Sequence, residues 1–287
     1  MQQLLESGSV IVHPLKQAAP SPDGATSAVD IATQTSYPTE TVFKIQMNLL
    51  KCVKQRLLRL SDRARAFDGT LFYSQTGEDA ILAHLLFDHD SGFYVDVGAF
   101  HPIKYSNTYY FYRRGWMGIN IEPTPGQIDL FKKLRPRDIN LACAVSRAKG
   151  RVLLTTFNDP AVNSADKQMI DRHIKTGQFH PTGEIVVEAY PLAEILEIYM
   201  PPGRHLTFLS VDVEGMELEV LQSHDWDRLR PHFIAVEWLE PPSVKEAISS
   251  GVHRFLEQQE YELICKTPAT LIFCESEAAD SGYKNSQ

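Results

Sequence analysis

Beyond Gly69 the chain alternates short, almost unbroken apolar runs with amphipathic stretches, and few folds accommodate that alternation. The apolar runs fall at 93–97, 117–121, 139–145, 151–157, 185–189, 206–213 and 233–238, and each reads as a strand. Helical spacing lies between them, at 105–114, 124–134, 192–199, 216–222 and 243–259. Thr124-Pro125 offers an N-cap with proline at the first helical position. Strands that are apolar on both faces need cover on both faces, and helices between successive strands supply it. The pattern predicts an α/β three-layer sandwich around a mostly parallel sheet. Two last runs, 261–266 and 270–274, turn at Pro268 and suggest an antiparallel edge. Residues 158–184 are polar, lack a period and read as a long loop over a functional site.

The first 70 residues do not share this pattern. Residues 1–38 carry Pro14, Pro20, Pro22, Gly24 and Pro38 among small polar residues and read as a flexible leader. In 39–66, Val42, Ile45, Leu49, Val53, Leu57 and Leu60 recur at helical spacing behind a capping Thr39. The other faces carry Lys44, Lys51, Lys54, Arg56, Arg59, Arg63 and Arg65. Such a helix can lie on an anionic membrane or a partner. Packing on the main domain or on a second copy is the favoured reading. The expected domains are thus the leader, a helical extension over 39–70, and one large domain over 71–287.

Charge narrows the partners. With 28 basic and 36 acidic residues the formal charge is -8, which argues against general attraction to nucleic acid. The four cysteines, Cys52, Cys143, Cys265 and Cys274, form no C-x-x-C pair. Cys265 and Cys274 fall on adjacent expected strands, so a disulfide is conceivable, although reduced thiols are the favoured reading. No apolar run is long enough to span a bilayer, and a signal-peptide layout is lacking, so a cytoplasmic location is expected.

Three expected strands end in acids: Asp96 before Gly98, Glu122 before Pro123, and Asp212 with Glu214 before Gly215. In an open α/β sheet such tips converge on one edge, where ligands bind. A carboxylate at the second tip can accept hydrogen bonds from both hydroxyls of a ribose. Glu122 lies 24 positions after Gly98, near the roughly 20-residue offset of a nucleoside-binding βαβ unit. A pyrophosphate, however, requires a glycine-rich turn whose amides can reach it. Gly98-Ala-Phe-His-Pro-Ile103 has one glycine and a bulky Phe100, which disfavours NAD and leaves a nucleoside without phosphate, such as S-adenosylmethionine.

Seven blocks extend this reading: Ser74-Gln-Thr-Gly-Glu-Asp79, Val95-Asp-Val-Gly-Ala-Phe-His-Pro102, Ser106-Asn-Thr108, Arg114-Gly-Trp116, Ile119-Asn-Ile-Glu-Pro123, Arg135-Pro-Arg-Asp138 and Leu209-Ser-Val-Asp-Val-Glu-Gly215. In these, from about 73 to 240, the chain resembles the FkbM-type methyltransferases. The resemblance implies a class I, Rossmann-like methyltransferase fold with seven strands, one of them antiparallel. It also implies S-adenosylmethionine as donor and O-methylation of a sugar, glycoconjugate or natural product.

Carried onto this chain, the resemblance sets Asp96, Gly98, Ala99 and Phe100 along the methionine moiety and Glu122 on the ribose. Ala142, Cys143 and Ala144 are expected near the adenine, with Asp138 a weaker choice. Gln75 and Glu78 are placed to reach the amino-acid end, although Glu78 can equally cap the helix that follows. Ser106 and Asn107 either touch the cofactor or cap a helix. A hydroxyl acceptor needs a base, and Asp212, Glu214 and His101 are the candidates, with Glu237 a further one for which a buried structural acid is the favoured reading. Asp212 can instead touch the cofactor. A paired-acid site can also hold Mg²⁺, though no metal is expected. In the segment 158–184 over the acceptor site, His173 and His180 offer a base or ligands, with surface residues the favoured reading. Rival readings are a methyltransferase-like domain kept for interaction without turnover, and an NAD-dependent oxidoreductase.

Overall fold

The computed structural model describes residues 70–239 and 243–276; the expected leader and the 39–66 helix lie outside the described residues. The chain enters through helix α1 (Glu78–Leu85) and strand β1 (Phe93–Val97). Helix α2 (Tyr109–Arg113), strand β2 (Met117–Ile121), helix α3 (Gln127–Leu134) and strand β3 (Ile139–Leu141) follow. After an excursion described below come helix α5 (Leu192–Tyr199), strand β7 (Phe208–Val211), helix α6 (Glu217–Gln222) and strand β8 (Phe233–Glu237). Helices α7 (Val244–Ile248) and α8 (Gly251–Gln258) lead to strands β9 (Tyr261–Lys266) and β10 (Thr270–Glu275).

Seven of these strands form one sheet in the order β3-β2-β1-β7-β8-β10-β9. The chain builds outward from β1 to β3, then crosses back to lay β7 on the other side of β1, with Val95 beside both Ile119 and Leu209. The strand order therefore reverses between β1 and β7, and a crevice opens at their carboxyl ends. Only β10 runs against the rest, paired antiparallel to both β8 and β9. The fold is Rossmann-like with one antiparallel strand. That strand is inserted inside the edge rather than at it, which corrects the expectation of an antiparallel edge.

Alternating strand residues feed two cores. Phe93, Val95, Val97, Leu209 and Val211 pack one face against Leu192, Leu196, Val220, Leu221 and Leu256 of α5, α6 and α8. Tyr94, Phe208 and Ala235 face the other way, onto Leu82, Leu86, Phe111 and Trp116. Each buried Leu, Val or Phe contributes about 1.5–3 kcal/mol, so helices on both faces are the stable arrangement for strands of this composition.

The excursion forms a second sheet. Strands β4 (Ala144–Val145), β5 (Gly150–Phe157) and β6 (Pro181–Tyr190) pair in the order β4-β6-β5, with β5 antiparallel to β6. The expected strand 139–145 is thus two strands in two sheets. Cys143 and Val145 still pack on the main core, so hydrophobicity does not drop where pairing changes. Residues 158–184 are not an irregular loop. They hold a 3-10 turn (Pro160–Val162), helix α4 (Lys167–Thr176) and the first residues of β6. Asp166 caps α4 by accepting from Met169 N at 2.8 Å, and Gly177, at φ 70°, ends it.

Local polar groups trimmed the expected helices. In 105–114, Tyr105 has φ 58° and Ser106 Oγ accepts the amides of Thr108 and Tyr109, so α2 starts only at Tyr109. Gly126, at φ 84°, delays α3 to Gln127. Ser250 Oγ accepts from His253 N at 3.0 Å and divides 243–259 into α7 and α8. Cys143, Cys265 and Cys274 are free thiols. The hairpin register sets Cys265 opposite Ile272, which removes the disulfide alternative. No helix among the described residues is long and apolar enough to cross a membrane.

Candidate functional site

At the carboxyl end of β1 the backbone folds tightly onto its neighbours. The amides of Gly98 and Ala99 both donate to Ile121 O, at 2.9 and 3.1 Å. Gly98 has φ 77°, and a Cβ there would fall on the Asp212 carbonyl oxygen. Only glycine fits this position. Phe100 also sits in the left-handed region, at φ 51°, and its amide donates to Glu122 Oε2 at 2.8 Å. Glu122 Oε1 accepts from Thr124 N at 2.7 Å. Each carboxylate oxygen keeps a lone pair for a further donor. Burial lifts the Glu122 carboxyl above its usual range, while the hydrogen bonds from Thr124 and Phe100 oppose that shift. Asp96 is buried, and Thr108 Oγ1 donates to it at 2.7 Å. Desolvation raises it too, partly offset by the positive charge of Arg135.

The third acidic tip is a turn. β7 ends at Val211, so Asp212 and Glu214 do not share a strand face as expected. Glu214, at φ 53°, sits in the left-handed region. The carboxylate oxygens of Asp212, Glu214 and Glu237 lie within 4.8 Å of one another. Burial and repulsion from Glu214 push Asp212 well above the ordinary carboxylate range. Burial and repulsion from Asp212 do the same to Glu237. Uptake of a proton by either acid would relieve this repulsion. The spacing suits a divalent cation as well. Glu217, on the first turn of α6, braces the turn by accepting from Gly215 N at 2.9 Å and Val213 N at 3.3 Å.

The three tips open into one cavity of about 440 Å³, a size typical of cofactor pockets. Of the residues expected from sequence, Gln75, Asp96, Gly98, Ala99, Phe100, Ser106, Asn107, Glu122, Cys143, Ala144, Asp212 and Glu214 line it. Ser106 also accepts the amides that start α2, as the capping reading expected. Asn107 Nδ2 reaches Ser210 Oγ at 3.2 Å.

Four expected residues lie elsewhere. Glu78 is buried under the β9–β10 hairpin, where Thr267 and Thr270 donate to it at 2.9 and 3.0 Å and Thr76 also binds it. Desolvation there is outweighed by these hydrogen bonds, which hold its carboxyl below the usual range. His101 commits Nδ1 to the amides of Ile103 and Lys104, at 3.1 and 3.0 Å, and has no lone pair left there for a base. Ala142 is exposed and faces away from the cavity that its neighbours Cys143 and Ala144 line. Asp138 is buried behind β2, ion-paired to Arg135 at 2.8 Å.

The second sheet and the 158–179 segment contribute wall residues that sequence reasoning missed, among them Val152, Leu154, Asp159, Asn163 and Phe179. His173 is the main correction, because it is not a surface residue. It is 7% exposed, lines the cavity and places Nε2 3.1 Å from Glu214 Oε2. His180 is exposed and takes no part. The cap signals Asp166 and Gly177 were legible in the sequence and would have revealed α4, though not what it faces. Among the described residues the lining holds six carboxylates, Asp96, Glu122, Asp159, Asp212, Glu214 and Glu237, and no lysine or arginine. No curated protein matches the chain. A family model described as the methyltransferase FkbM domain matches residues 96–263.

Proposed function

The chain belongs to the methyltransferase FkbM domain family, and we propose that it binds S-adenosylmethionine in this cavity and methylates a hydroxyl of a neutral sugar, glycoconjugate or natural product. The observation that carries the reading is the make-up of the lining: six acidic side chains and no lysine or arginine among the described residues. Such a wall disfavours a pyrophosphate and suits a sulfonium cation beside an uncharged acceptor. The donor set fits as well. Glu122 keeps lone pairs for a ribose, and Gly98 lets the β1 turn pack against the Asp212 carbonyl, which holds the two acidic tips side by side.

Bound here, S-adenosylmethionine supplies a methyl group already activated by its sulfonium. The protein's work is then alignment, exclusion of water and proton removal. Asp96, Gly98 and Phe100 orient the amino-acid end, Glu122 holds the ribose, and Cys143 with Ala144 flank the base. Residues 158–179 wall the acceptor side.

Calorimetric titration with S-adenosylmethionine tests the reading. Micromolar binding, about −8 kcal/mol, is expected for the wild-type chain, with loss in Asp96→Ala and weakening in Glu122→Ala. Unchanged affinity in Asp96→Ala would refute the placement. A search by mass spectrometry for a product heavier by one CH₂, after feeding cell extract with labelled donor, identifies the acceptor. Binding without any such product would favour the interaction-domain reading.

A further inference from the structure

We propose that His173, oriented by Glu214, is the base that removes the acceptor's proton. This rests on reading the cavity as a methyl-transfer site. Three features set His173 apart from the acids around it. Its Nε2 faces Glu214 Oε2 at 3.1 Å, while Nδ1 has no hydrogen-bond partner among the described residues. With Nε2–H donating to the carboxylate, the lone pair that remains is on Nδ1. The rings of Phe157 and Phe179 meet the imidazole edge-on, at centroid distances of 5.7 and 5.5 Å, and restrict its rotation. No other histidine lines the cavity among the described residues.

The orienting residue is itself held under strain. Glu214 occupies the left-handed region, which costs about 1–3 kcal/mol for a non-glycine residue and is sustained only where neighbours enforce it. Ser164 enforces it here, donating its buried hydroxyl to Glu214 O at 2.7 Å. The adjacent Gly215 is close enough to Asp166 that a Cβ would lie 3.0 Å from the aspartate's own. Ser164, Asp166 and His173 therefore pin the segment to the Asp212–Gly215 turn at three points. The other candidates are placed less well: Asp212 and Glu237 crowd against each other and Glu214, with carboxylate oxygens within 4.8 Å, and the Nδ1 of His101 accepts two amides.

The step balances without an outside reagent. The acceptor oxygen bonds the methyl carbon as the carbon–sulfur bond breaks, its electron pair staying on sulfur. The hydroxyl proton passes to His173 Nδ1. The positive charge lost from the sulfonium reappears on the imidazolium, where the Glu214 carboxylate stabilises it.

The test uses the full chain, S-adenosylhomocysteine as the binding probe, and tritiated-methyl S-adenosylmethionine with a neutral metabolite extract as acceptor pool. His173→Gln is expected to bind S-adenosylhomocysteine within about twofold of wild type and to lose roughly 10²–10⁴-fold in transfer. Added imidazole restores part of the transfer in His173→Ala. Glu214→Gln, which keeps a hydrogen-bond acceptor but not the charge, loses less. Independently of activity, long-range ¹H–¹⁵N spectra of the wild-type chain at alkaline pH are expected to show His173 as the Nε2–H tautomer. A proton on Nδ1 instead, or wild-type transfer in His173→Gln, overturns the proposal. Wild-type protein that fails to bind S-adenosylhomocysteine defeats the methyl-transfer reading itself, which separates the two failures.

Discussion

Two clusters of buried acid lie on one sheet, and they are treated in opposite ways. Behind β2, Asp138 accepts from Arg135 Nε at 2.8 Å, Tyr94 Oη at 2.8 and 2.9 Å, Gly118 N at 3.0 Å and Asn120 Nδ2 at 3.0 Å. Arg135 in turn stacks near the rings of Tyr94, Tyr112 and Phe131. Charge and hydrogen-bonding capacity are matched there, away from the cavity. At the β7 and β8 tips, Asp212, Glu214 and Glu237 crowd together in a cavity that no lysine or arginine lines among the described residues. Glu237 Oε2 is buried and receives no hydrogen bond from a donor among the described residues. A matched cluster of this kind is framework. An unmatched one in a cavity destabilises the fold and is kept for what it does to a ligand.

Substitutions can break the contrast. The largest effect is expected for Arg135→Met, which leaves Asp138 buried without its cation. Urea denaturation should report a loss of about 3–5 kcal/mol. Tyr94→Phe removes one hydroxyl from the same network and is expected to cost about 2 kcal/mol by the same measurement.

Glu237→Gln should act in the other direction, raising stability by on the order of 1 kcal/mol near neutral pH while impairing transfer. The sign follows from the raised carboxyls. Asp212 and Glu237 hold protons in the folded chain that the unfolded chain has already released, so stability falls as pH rises from about 4 toward their raised folded values. Glu237→Gln flattens that fall. A wild-type chain that gains stability relative to Glu237→Gln between pH 5 and 7 would contradict the mechanism. The smallest expected effect is none: EDTA should leave methyl transfer unchanged, and loss of transfer restored by Mg²⁺ would reassign the acidic cluster to a metal.

The legible parts of the site are those that local sequence controls. Asp96, Gly98 and Glu122 sit at the ends of apolar runs, and the end of a run is visible as a change in composition. Their positions around the cavity follow from the runs becoming parallel neighbours, which the same composition dictates. The illegible parts depend on distant chain. Glu78 was placed near the ligand because it precedes β1, yet its partners Thr267 and Thr270 lie 189 and 192 positions away. His173 was set aside as a loop residue, because its hydrogen-bond partner Glu214 lies 41 positions further on.

By itself the sequence determined the alternation of strands and helices, the burial of both sheet faces, the three acidic tips and the glycine that β1 requires. Apolar periodicity and turn chemistry are local properties, and a chain of this length has few ways to satisfy them. Only the tertiary structure decided that 144–190 would leave the main sheet to form its own, that β10 would insert between β8 and β9, and that α4 would bring a histidine to Glu214. Those outcomes turn on which hydrogen-bonding edges and side chains meet across long stretches of chain, and neither composition nor periodicity records such meetings.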